Sequence, residues 1–232
     1  MNVSSRLFLL FIGVFIFSCS KDSLSDLDYP STYHKSGIKP NGSLRVFSSA
    51  GEINNRDIIS RFNQTDSSFF NNTSDNIGNY PGKMDSVYFS DAGNAIMTEY
   101  NTALHCLVKQ EGKNFLLTRA DTTKGTTYLN EMSHNITYYL GQVKPDLYSE
   151  SLYSSTRGDY YFNYSATEKF ILSKPGEELV APILEYKLYR AAVNGGGDNF
   201  GYINNILQDD FFKNLDKGDT IIIKDFLITY EK

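Results

Sequence analysis

The chain has 232 residues, 41% of them hydrophobic and 21% charged, with a formal net charge of −5. That is the balance of a folded globular protein long enough to bury a large core, not of a disordered chain. The acidic excess argues against nucleic acid, or anionic lipid held by charge, as the main partner, because both need basic patches.

The chain opens with a short region carrying Arg6, followed by the apolar run Leu7–Phe17 and then Ser18 and Cys19. Eleven residues are too few to cross a bilayer, which takes about 20. The order of positive, apolar and small residues is that of a cleaved secretory signal. Ile16-Phe17-Ser18-Cys19 resembles the lipobox of bacterial lipoproteins: an aliphatic residue, a second residue (bulkier here than in the family), a small residue and cysteine. The resemblance implies that residues 1–18 are a signal peptide and that Cys19 carries a diacylglycerol on sulfur and a palmitate-type acyl chain on its new amino group. Ser20 after the cysteine resembles the sorting pattern for the outer membrane, and the run Ser20–Asp28 resembles surface-export tags. Two or three acyl chains hold a protein durably on a membrane. The expected location is therefore the cell envelope, on the periplasmic face or the cell surface. Loss of Arg6 with the signal takes the net charge from −5 to −6, so lipid rather than charge must do the anchoring.

Residues 19–42 are polar, with Pro30, Gly37, Pro40 and Gly42. They read as the acylated cysteine and a flexible tether, with a reach of roughly 25–30 Å. Residues 43–232 read as a single β-rich domain. Leu44–Phe47 is a short strand, and Asn54–Phe62 a short helix capped by Asn54 or Asn55, with Asp57 in its first turn. Asn63–Lys83 reads as a long loop. Ser86–Ser90 with Ala95–Tyr100, and Ala103–Gln110 with Asn114–Arg119, are two hairpins joined by short Gly-containing turns.

Leu129, Met132, Ile136, Tyr139, Leu140 and Val143 recur at helical spacing, although Ile136–Tyr139 is strand-prone; helix is the favoured reading and strand stays open. Asp159–Tyr164, Lys169–Leu172 and Leu179–Arg190 are strands. In the last, Leu184, Tyr186 and Leu188 alternate with Glu185 and Lys187, one face dry and one wet. Pro182 marks an edge or a bulge. Asn194–Asn199 is a Gly-rich loop, Tyr202–Leu215 reads as a helix, and Asp219–Tyr230 is a central strand apolar on both faces.

Many short strands with tight turns and two or three short helices predict a mainly β protein, an antiparallel β-barrel or β-sandwich. Its architecture is similar to a lipocalin-like barrel, without any motif of that family. The 17 Tyr and 16 Phe suit half-buried sheet surfaces; there is no Trp.

Chemistry-bearing patterns are few. The segment Asn194-Gly-Gly-Gly-Asp-Asn-Phe-Gly201 lacks the spacing of a dinucleotide fingerprint. His34, His105 and His134 have no zinc-site spacing. Asp209, Asp210, Asp216 and Asp219 lack the order of a calcium loop and read as turn residues. Cys106 alternates with Leu104 and Val108 and reads as a small buried hydrophobe; with Cys19 lipidated, no internal disulfide forms. No catalytic residue, metal ligand or cofactor site is assigned, and the lipidation site Cys19 is the one site residue predicted. The expectation is a non-enzymatic lipoprotein with a binding or structural role, its partner a small apolar ligand, a glycan or an outer-membrane protein. The alternative is a small secreted hydrolase or isomerase with its site in the mouth of a barrel.

Overall fold

A computed structural model describes residues 27–71, 84–99, 101–128, 137–144, 146–154, 160–191 and 199–232. Residues 1–18, expected as a signal peptide, Cys19, and residues 129–136 with His134 lie outside the described residues. The protein is mainly β, and eight of its strands close into an antiparallel barrel.

The barrel runs β12 (Leu179–Tyr189), β11 (Lys169–Ser173), β7 (Asn114–Arg119), β6 (Thr102–Glu111), β5 (Asn94–Glu99), β4 (Ser86–Asp91), β1 (Ser31–Pro40) and β14 (Thr220–Glu231), with β14 pairing back to β12. Both expected hairpins are present as β4–β5 and β6–β7. Their alternation is what builds the wall: Val87, Phe89, Ala95, Met97, Leu104, Cys106, Phe115 and Leu117 point inward and are buried. Gly112 takes the positive φ of 62° that the Gly112-Lys113 turn requires.

The tether expected over 19–42 is corrected from Leu27 onward. Leu27 is buried in the barrel core, and Ser31–Pro40 is a barrel strand paired to β4 on one edge and β14 on the other. Its inward residues at the start are Ser31 and Tyr33, and the outward ones are Thr32 and His34, so the strand carries little apolar signal of its own.

β12 and β14 pair over eleven residues, from Leu179↔Tyr230 to Tyr189↔Thr220, and outrun the barrel. Inside it, Leu179, Ala181, Ile183, Phe226, Ile228 and Tyr230 face the interior. Beyond it the other face of the same ladder is covered: Leu184, Tyr186, Leu188, Ile221 and Ile223 form a second core with Phe47, Leu140, Phe211 and Leu215. A third, small cluster puts Ile222 and Leu44 against Phe62. β2 (Arg45–Ser48) and β3 (Gly51–Glu52) extend the β14 side, and β13 (Asn199–Ile203) the β12 side. The central, two-faced reading of the last strand therefore holds. The wet face expected of β12 does not, because Glu185 is fully buried opposite Lys224. Pro182 falls in the gap between β11 and β13 on β12's outer edge, where its carbonyl accepts Asn204 Nδ2–H at 3.0 Å.

One long helix, α1 (Arg56–Asn71), begins where expected, with Asn55 Oδ1 accepting the amides of Asp57 (2.9 Å) and Ile58 (3.2 Å). It continues through Asn71, so the loop expected from Asn63 is corrected over its first part; residues 72–83 lie outside the described residues. Of the helix expected over 129–143, the described residues hold one turn, α2 (Thr137–Leu140), after which Gly141 bridges Leu207. The helix expected over Tyr202–Leu215 is overturned. Its residues form the end of β13, an irregular stretch and a single 3-10 turn at Phe211–Asn214. There Asn204 bonds the Ile171 amide and Asn205 the Val143 backbone, both in distant segments, and Gly201 lies under the Tyr186 ring, where a Cβ would meet the hydroxyl at 3.1 Å.

Three further strands, β8 (Thr123–Tyr128), β9 (Asp146–Ser154) and β10 (Tyr160–Thr167), make a separate sheet ordered β8-β10-β9. It continues the β7–β11 pair past a bend. Arg119 holds that bend: its guanidinium bonds Asp121 at 2.7 and 3.0 Å, Glu168 at 2.9 Å and the Thr123 hydroxyl at 3.1 Å.

Candidate functional site

A cleft of about 320 Å³ opens where the β12–β14 ladder changes its buried face. The register explains its position. The pair Ile183↔Phe226 ends the barrel interior, and the next pair, Leu184↔Asp225, turns Leu184 into the second core. Asp225 is thereby left at the junction, covered by neither core.

Arg45 reaches it from β2, with Nη2 at 2.5 Å from Asp225 Oδ2. The side chains are 32% and 20% exposed, so the pair is partly desolvated but still reached by water. Burial pushes the Asp225 carboxyl above the ordinary carboxylate range, and Arg45 opposes that shift without cancelling it. The guanidinium carbon also lies 5.7 Å from the centre of the Phe47 ring. Asn41 enters beside them, its amide donating to the Asp225 carbonyl at 2.8 Å.

The opposite wall is built by Asn205, 1% exposed. Its Oδ1 accepts the amides of Val143 (3.2 Å) and Ile206 (2.8 Å), and its Nδ2 donates to the Val143 carbonyl. One side chain thus completes backbone bonding for two irregular segments. Gly141 is required next to it, because a Cβ there would lie 2.7 Å from Asn205 Nδ2. The clamp places Gln142 at the rim, its amide bonded to the Ile206 carbonyl (2.9 Å) and its Nε2 to the Leu207 carbonyl (3.3 Å). Asp209 completes the polar lining, and Pro182, Ile183, Leu207 and Phe226 supply apolar wall.

The arrangement offers amide donors and acceptors, one compensated ion pair and one exposed carboxylate. A volume near the lower end of small-molecule pockets, roughly 300–1,000 Å³, admits a compact polar ligand. Of the chemistry-bearing residues weighed in the sequence that are among the described residues, only Asp209 lines the cleft. His34 and His105 are exposed on the outer faces of β1 and β6. Cys106 is buried inside the barrel, and burial pushes its thiol up to about 11. Asp219 is a turn residue, as expected, and accepts the Ala191 amide at 2.9 Å. Among the described residues no three His, Cys, Asp or Glu side chains gather as a metal site. Arg45, Asp225, Asn41, Gln142 and Asn205 were not singled out. They come from separate segments, and no spacing links them.

Among the described residues no helix is long and apolar enough to cross a membrane. Comparison with protein-family models, with curated proteins and with solved structures finds no match.

Proposed function

We propose that this chain is a lipid-anchored lipoprotein of the outer membrane or cell surface, non-enzymatic, whose barrel presents a polar binding cleft. The observation that carries the anchoring is Ile16-Phe17-Ser18-Cys19 directly after an eleven-residue apolar run. Acyl chains on Cys19, worth roughly 0.8 kcal/mol per buried methylene, supply the attachment that an acidic domain lacks. The cleft, rather than the barrel interior, is the binding place. Tyr33, Phe89, Met97, Phe115 and Leu117 fill that interior and are nearly or wholly inaccessible. Arg45 and Asp225 neutralise one another, which fits recognition of an uncharged, hydroxyl- or amide-bearing ligand such as a glycan fragment.

Fractionation tests the anchor: wild-type chain is expected in the membrane pellet and Cys19→Ala in the soluble fraction. Equal pelleting of both removes the proposal. Thermal-shift titration with oligosaccharides tests the cleft, with an upward shift that Asn41→Ala and Gln142→Ala reduce.

One observation favours a second reading. Asp209 and Asp225 both line the cleft, and burial raises the Asp225 pKa above its usual value against the opposing pull of Arg45. Two carboxyl groups in one cleft are the parts of a small glycoside hydrolase. Release of reducing sugar by wild type but not by Asp225→Asn would decide for it.

A further inference from the structure

We infer that the anchored protein stands end-on, with one ring of barrel turns against the bilayer and the cleft opening away from it; the inference rests on lipidation of Cys19. Its basis is how little chain separates that cysteine from the folded barrel. Leu27 is already in the core, and Lys232 Nζ meets Asp28 Oδ2 at 2.7 Å, tying both ends of the domain together at one rim. Only residues 20–26, seven in all, lie between. Eight residue steps span at most about 26–29 Å whatever their conformation.

The antiparallel order puts every turn of one kind at that rim. The β4–β5 turn (Ala92, Gly93), the β6–β7 turn (Gly112, Lys113) and the β11–β12 turn (Lys174–Glu178) share it with Asp28 and Lys232. Lys174 N–H bonds the Lys113 carbonyl at 3.3 Å. The cleft is at the far end of the closed barrel, midway along the β12–β14 ladder: Asp225 precedes Glu231 by six residues on β14, about 20 Å along the strand. The β12–β14 ladder continues beyond it to eleven pairs, about 33 Å from first to last along the strands. A link that spans at most about 26–29 Å keeps the near rim close to the headgroups and leaves the far end projecting. The rim itself has no basic excess: Asp28, Asp91, Glu111, Glu177 and Glu178 balance Lys113, Lys174 and Lys232 together with Lys39 and Lys109, which pair with Glu178 and Glu111. Tether length, not adhesion, must therefore set the orientation. The occupant facing this rim is the bilayer that receives the Cys19 acyl chains.

The test uses the full lipidated chain in phosphatidylcholine vesicles carrying a headgroup-linked energy acceptor. Fluorophores are placed through Glu177→Cys at the near rim and Lys217→Cys at the far end, both exposed positions; wild type with its buried Cys106 is the labelling blank. Co-sedimentation is measured on the same samples. Expected is transfer several-fold stronger from position 177 than from 217, collapsing toward equality when thirty Gly/Ser residues are inserted between Asp26 and Leu27. Equal or reversed transfer in the vesicle-bound, native-length chain overturns the orientation and leaves the anchor standing. A difference that survives the insertion overturns the role of tether length. Failure to sediment with vesicles removes the anchoring reading and this inference with it.

Discussion

Arg45 on β2 and Asp225 on β14 form an ion pair at 2.5 Å, at the point where the long ladder exchanges one core for the other. The pair is mostly buried but still reached by water, so its worth lies mainly in what is left when one partner goes. Arg45→Met leaves a partly buried carboxylate without its cation and is expected to cost about 1–3 kcal/mol. Arg45→Met with Asp225→Leu is expected to cost less than the sum of the two single changes. Urea denaturation of the four proteins checks this; additive costs would contradict it.

The same pair carries a pH dependence. Burial raises the folded-state pKa of Asp225 above its unfolded value, so the native state binds the extra proton. Its contribution is fully present below the unfolded pKa, near 3.9, and is lost as pH rises through the folded value. Arg45→Met raises the folded value further and widens that window. Denaturation midpoints between pH 4 and 7 should therefore fall more steeply in the variant than in wild type; parallel profiles would contradict the assignment.

Cys106 tests the barrel interior. The thiol is buried, its pKa is pushed up to about 11, and its nearest polar contact is the Leu104 carbonyl. A disulfide-exchange reagent at pH 8 is expected to leave the native protein unmodified and to titrate one thiol per lipidated chain in denaturant. Rapid stoichiometric labelling of the native state would mean that the barrel wall opens readily.

Tyr33 and Tyr230 have fully buried hydroxyls with no hydrogen-bond partner among the described residues. Such a group costs about 1–3 kcal/mol in desolvation. Tyr230→Phe is therefore expected to leave stability unchanged or to raise it by about 1 kcal/mol. Burial also holds the Tyr230 pKa above its usual value of 10. Its folded state keeps a proton that the unfolded chain loses, so stability falls as pH rises past about 10. That part of the alkaline loss should be missing in Tyr230→Phe. A variant less stable by 1 kcal/mol or more would show that the hydroxyl has a partner.

Gly141 and Asn205 should behave as one unit. Gly141→Ala places a Cβ 2.7 Å from the Asn205 amide nitrogen and is expected to displace the clamp. Asn205→Ala removes it and is expected to cost about 1–3 kcal/mol, because buried backbone groups lose their partner. The double change removes the collision, so its cost should fall well short of the sum. Additivity would show that the two side chains do not share one constraint.

The fold was legible in proportion to local pattern. The two hairpins follow from strict alternation and Gly-containing turns, and the closing strand from apolar residues on both faces. β1 was hidden because its first inward positions are Ser31 and Tyr33 amid polar neighbours, so its place comes from pairing to β4 and β14. Ile203, Ile206, Leu207 and Phe211 sit at helical spacing, yet Asn204 and Asn205 spend their side chains on distant backbone. Glu185 looked like the wet face of a strand that the second core and its flanking elements cover on both sides. The cleft was least legible. Its polar residues share no motif and meet only where one ladder changes its buried face.

The anchor is the claim on which location, orientation and exposure of the cleft all depend. Intact-mass and N-terminal peptide analysis of the protein extracted from its membrane tests it most directly. A mature chain beginning at Cys19, heavier by a diacylglycerol and an amide-linked acyl chain, is the predicted result; residues 1–18 still attached, or Cys19 unmodified, would contradict it.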